Sequence, residues 1–124
     1  MIAVAALGVV VLGCLAVFQA ALVAGAPWGR FAWGGQHVVL SAALRVGSAV
    51  SIVVYGAVAL VLLEAAAASD VLPDGLVDVA LWVLTGYFAL GVVMNAASRS
   101  RPERLVMTPL AAVLTGVCLV LALG

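Results

Sequence analysis

The side chains able to do chemistry fall into two short stretches separated by long apolar runs. The first holds Gln19, Arg30, His37 and Arg45, and the second holds Asn95, Ser98, Arg99, Arg101, Glu103 and Arg104. Guanidinium forks match phosphate and carboxylate oxygens. Ser100-Arg101-Pro102-Glu103 has the form of a helix start, whose free N–H groups would add donors for an anion. Together these residues predict a layer that binds an anionic or lipid-like ligand. The competing explanation makes the arginines topology determinants that reach to lipid phosphates, with Glu103 neutralising one of them.

The remaining chemical inventory is short. His37 is the only histidine, so no multi-histidine metal site can form within one chain, and no metal or cofactor is expected. As a base beside the arginines, His37 would suit a lipid-modifying enzyme; as a lone interfacial imidazole it is simply hydrogen-bonded or solvated. Cys14 and Cys118 are expected at depths differing by roughly 10 Å, counted at about 1.5 Å per residue, beyond disulfide reach, which makes them small buried residues. Tyr55 and Tyr87 are the other polar groups deep in apolar sequence. Cys-x-x-Cys, nucleophile-elbow and Gly-rich phosphate-loop patterns do not occur, nor do paired intramembrane carboxylates.

What must position these residues follows from composition. Of 124 residues, 68% are hydrophobic and 8% charged, too few charges to cover a soluble globule of this size. The net charge of zero, with no lysine, excludes nucleic acid as a partner; membrane lipids are the surroundings expected. Apolar runs of about 17 to 25 residues are long enough to cross a bilayer as helices, and four occur, at about 2–24, 41–64, 75–97 and 102–123. They predict an all-α, transmembrane four-helix bundle forming a single domain over 1–124. Ala24-Gly25-Ala26 has the small-x-small form of a signal-peptidase site, but no basic residue precedes the first run, which is therefore expected to be a span.

The charges are sorted by loop. All five arginines flank the first and third connections, whereas Glu64, Asp70, Asp74 and Asp78 are assigned to the middle one. The positive-inside rule then places loops 25–40 and 98–104 in the cytoplasm of a multi-pass cell-membrane protein, with both termini outside. Ser100 to Glu103 is expected to form a capping box opening the fourth helix, with Pro102 in its first turn. Pro73 and Asp74 open the third helix, and Pro109 should kink the fourth, with Thr108 satisfying freed backbone groups.

The first connection is the unusual one, carrying Trp28, Phe31 and Trp33 among Gly29, Gly34 and Gly35. It reads either as an anchor at headgroup level or as a lid-like segment over the mouth of the bundle, for which adjacent glycines allow a tight backbone. Small residues at Ala16, Ala20 and Ala24, at Gly47 and Ser51, and at Ala112 and Gly116 permit close helix packing. Gln19 followed by Pro27 and Arg30, and Asn95 followed by Pro102 and Arg104, form a faint parallel repeat of two hairpins.

Met94-Asn95-Ala96-Ala97-Ser98-Arg99-Ser100-Arg101-Pro102-Glu103-Arg104, with Pro27-Trp28-Gly29-Arg30 and Trp33-Gly34-Gly35, resembles small four-span prokaryotic integral membrane proteins of uncharacterised function. The resemblance implies the membrane bundle and brings no activity. Small fluoride channels share the size but not the asparagine and phenylalanine-rich signatures. Small multidrug exporters need a glutamate within the first helix, where this chain has only Gln19. Three functions follow as expectations: binding or transport of an anionic or lipid-like ligand at the arginine layer, a structural or accessory subunit of a larger membrane complex, and a lipid-modifying enzyme using His37. A cavity is more easily made between protomers than inside four short helices, so a homo-oligomer is expected.

Overall fold

The computed structural model describes residues 1–67 and 71–124; Asp70, expected in the acidic loop, lies outside them. Four helices make up most of the described chain: α1 (Ile2–Val23), α2 (Ala42–Ala67), α3 (Asp74–Ala96) and α4 (Arg101–Leu123). At 22 to 26 residues, each spans roughly 33 to 39 Å at about 1.5 Å per residue, enough for a hydrocarbon core of about 30 Å. All four are apolar enough to cross a bilayer. The chain is an all-α, multi-pass membrane protein, with no strand among the described residues.

Two antiparallel hairpins, α1–α2 and α3–α4, form the most extensive packing; α1 then seats on α4 and α2 on α3, closing the ring in chain order. The inward stripe of α1 is Ala5, Gly8, Leu12, Leu15, Gln19 and Leu22, spaced three and four residues apart as one helix face requires. Its partner on α4 runs through Glu103, Ala111, Leu114, Cys118 and Leu121. The core is aliphatic, centred on Leu12, Leu62, Leu114 and Cys118, with Phe88 from α3. Both chain ends lie together at the end opposite the arginines, where the Met1 side chain approaches Gly124.

Several expectations are corrected here. Close approach occurs at Gly8, where an added Cβ would stand 2.7 Å from Leu62 and 2.9 Å from Val117. Ala20, Ala24, Ala112 and Gly116 instead face outward, because the inward phase of α1 and α4 is set by the stripes just named. Gly47 does receive a neighbour, but it is the Trp33 ring and not another helix. Glu64 lies inside α2 and is buried, accepting a 3.5 Å bond from Leu72 N. The helix runs on to Ala67, past the boundary expected at 64. Cys14 is exposed on the outer face while Cys118 is buried, and both are free. α4 continues through Pro109, yet the Thr108 hydroxyl is buried without a partner, so it does not satisfy the freed backbone.

Candidate functional site

The first connection folds back over the arginine-bearing end of the bundle. Two short 3-10 turns, Gly29–Phe31 and Trp33–Gly35, pack against the start of α4. Trp33, Gly34 and Gly35 have φ of 53°, 78° and 72°, three successive left-handed residues that only glycine adopts without cost. The crossing is tight elsewhere too. Gly29 N donates to Val38 O at 2.8 Å, and a Cβ on Gly29 would collide with the His37 carbonyl. A small second core of Leu22, Ala32 and Leu40, with Phe18 and Leu44, seats the segment.

Four polar contacts hold it down. Trp33 Nε1 donates to Ser48 Oγ at 3.1 Å, and the Gly34 N–H donates to Glu103 Oε2 at 3.2 Å. Ser100 Oγ donates to the Arg30 carbonyl, and Arg45 Nε to the Leu40 carbonyl at 3.1 Å. The connection is thus a lid with one edge of Trp33 against α2 at Gly47 and Ser48, while Trp28 and Trp33 both keep the partial exposure of an interfacial anchor. These contacts also replace the expected capping box. Ser100 is the N-cap residue of α4 but makes no side-chain cap bond; its hydroxyl and the Glu103 carboxylate both turn to the lid. Glu103 lies one helical turn before Met107 and two before Ala111, in phase with the inward stripe, and so points under the lid.

Beneath the lid is a cavity of about 290 Å³ whose walls come from all four helices and from Phe31, Ala32 and Trp33 of the lid. Its polar groups are few: Gln19, Ser51, Tyr55, Tyr87, Asn95 and Glu103. Four of them are already engaged, with one another or with their own helix. Gln19 Nε2 donates to Tyr55 Oη at 3.4 Å, Asn95 Nδ2 to Gly91 O at 2.8 Å, and Ser51 Oγ to Gly47 O at 3.0 Å. Gln19 is only 8% exposed, and its Oε1 is buried with no partner. A buried carbonyl oxygen left without a donor costs about 1–3 kcal/mol. Glu103 is 6% exposed, and no ion pair within 4.0 Å forms among the described residues.

The residues expected to act as one layer are therefore divided. Gln19, Asn95 and Glu103 line the cavity, whereas Arg30, His37, Arg45, Ser98, Arg99, Arg101 and Arg104 do not. Arg30, His37, Arg99, Arg101 and Arg104 are exposed at the rim. Arg104 Nη1 donates to the Ser98 carbonyl at 3.0 Å, closing the α3–α4 turn. The cavity wall carries one acidic group and no base, the reverse of the expected balance. Tyr55, Tyr87 and Trp33 join the wall; antiparallel pairing of α1 with α2 brings Tyr55 level with Gln19, and that register was the available signal.

A second hollow of about 280 Å³ lies between α1 and α4 on the outer side of Phe18, Phe31 and Met107, with Cys14, Trp28 and Val106 on its walls. Those first three side chains line both spaces, so a single layer separates the cavity from the outer face. No group of three or more metal-ligating side chains occurs among the described residues. Comparison with protein families, with curated proteins and with solved structures finds no match.

Proposed function

We propose that this protein binds, and in moving it across the bilayer transports, a small lipid-soluble ligand held in the cavity beneath the lid. The observation that carries this reading is the cavity beneath the lid with Gln19, whose buried Oε1 has no partner, in its wall. Its size sits at the lower end of the range for small-molecule sites, about 300 Å³ upward, and an apolar wall with a few convergent polar groups is the usual composition. The adjoining outer hollow supports entry from lipid.

An anionic ligand at the arginines would lie outside this cavity. We assign the arginines to the cytoplasmic face of a cell membrane, where they hold the topology and meet lipid phosphates, with both termini outside. The test uses three eight-carbon probes, octanol, octanoate and octylammonium, added to protein in lipid nanodiscs. Trp33 emission is followed with Trp28 and Trp82 replaced by Phe. Gly91 lines the cavity, and the nearest atom to an added Cβ is 4.0 Å away on Ala111, so Gly91→Leu fills the space. At least one probe should give a saturable response that Gly91→Leu reduces to simple partitioning. Identical responses in parent and Gly91→Leu would exclude the cavity as the binding site.

A further inference from the structure

The cavity's electrostatics narrow the class of ligand. Glu103 brings a carboxylate under the lid at 6% exposure, and its one hydrogen bond there, to Oε2, comes from the neutral Gly34 N–H. A carboxylate has acceptor sites for about four hydrogens, so most of its capacity is unused. No arginine or histidine reaches the cavity wall. The second free acceptor is Gln19 Oε1, on the opposite hairpin, in a side chain that is 8% exposed. The wall therefore offers two buried acceptors, one of them a carboxylate, with no cation to match them.

The apolar wall fits the same conclusion. Phe31 and Trp33 from the lid and Tyr55 from α2 border the cavity, and aromatic faces attract cations within about 6 Å of the ring centroid. Burial of an ionised group is tolerated when it is paired and hydrogen-bonded, which a protonated amine between Glu103 and Gln19 would achieve. Its N–H donors would meet Glu103 and Gln19 Oε1, while its hydrocarbon body would lie against Leu15, Phe88 and Leu114. An anion would face the carboxylate with no base on the cavity wall to oppose it.

We propose that the ligand is an amphipathic organic cation, a protonated amine on a small apolar body, with Glu103 as its counter-charge and Gln19 as the second acceptor. The inference rests on the cavity being the binding site, and the three probes separate the two claims because their bodies are alike and only the head differs. Octylammonium should bind at least tenfold more tightly than octanol, and octanoate should bind least. Glu103→Gln keeps an acceptor for Gly34 N–H but removes the charge. It should abolish the preference for octylammonium, bringing it within about twofold of octanol. Gln19→Leu, which leaves the carboxylate in place, should weaken octylammonium several-fold and is the second variant if Glu103→Gln does not fold.

Three outcomes overturn the assignment. Equal binding of the three probes by the parent, abolished by Gly91→Leu, would leave the cavity as a binding site and refute its preference for cations. So would tighter binding of octanoate. Octylammonium binding that neither Glu103→Gln nor Gln19→Leu changes would refute the roles of both acceptors. Absence of any response above the Gly91→Leu baseline would overturn the binding proposal itself.

Discussion

Whether the lid can close is decided at single glycines. Gly35 has φ of 72° and sits against the Ser100 side chain, so an added methyl meets both a strained backbone and a neighbour. Gly34 shares the positive φ, at 78°, but nothing lies within 4 Å of its missing Cβ. Gly116 lies in a helix with open space around it. The three substitutions should therefore be graded. Gly116→Ala should be neutral or stabilising by roughly 0.5–1 kcal/mol, since alanine is the better helix former. Gly34→Ala should cost about 1–2 kcal/mol for the left-handed backbone alone. Gly35→Ala should cost more than either and release the lid. Thermal unfolding in mild detergent gives the order, and quenching of Trp33 by acrylamide reports the release. The same local accounting explains why Glu103 is not a capping residue. Its helical phase, shared with Met107 and Ala111, turns it inward, and there the Gly34 N–H is the donor it meets.

At the scale of the elements, α1 is the helix whose inner face is most finely fitted. Gly8 lets α2 and α4 approach together, with Leu62 and Val117 closing on the place a Cβ would occupy. Gly8→Val should wedge this junction and cost about 1–3 kcal/mol, as overpacking of a core does, whereas the same change at Gly13, where nothing lies within 4 Å, should be tolerated; thermal unfolding separates the two. The existence of the four helices was legible in sequence from the length of the apolar runs, and proline marks two of the starts: Pro73 precedes α3 and Pro102 lies in the first turn of α4; α2, with no such mark at its far end, runs on to Ala67. Their faces were not legible. In α1 the inward Leu12 and the outward Val17 are equally apolar, since lipid and core make the same demand on a side chain. Only the rare polar residues reveal the phase. Gln19 and Asn95 could be singled out as site residues for that reason, but the partition of Glu103 from its neighbouring arginines depends on where a lid some seventy residues earlier comes to rest.

For the whole molecule, the segregation of charge sets how the bundle sits in its membrane. With Cys14 and Cys118 replaced by Ala, a single cysteine at Ile2 should react with a membrane-impermeant maleimide on intact cells. One at Ala97 should react only after permeabilisation; both positions are exposed in the fold, so protection reports the membrane and not burial. The opposite pattern would invert the proposed orientation. The fold places the aliphatic core toward the end with the chain termini and the cavity toward the arginines.

The contacts that seal the lid join positions 69 and 70 residues apart, Gly34 to Glu103 and Ser100 to Arg30. During synthesis the first hairpin leaves the ribosome well before either partner exists. Until α4 is inserted, the lid's backbone N–H at Gly34 and its carbonyl at Arg30 have only water or headgroups to bind. Sealing of the lid by these two contacts consequently waits for α4, and a chain that stalled after α3 would present a vestibule open beside Trp33 and Phe31 to whatever assists its insertion.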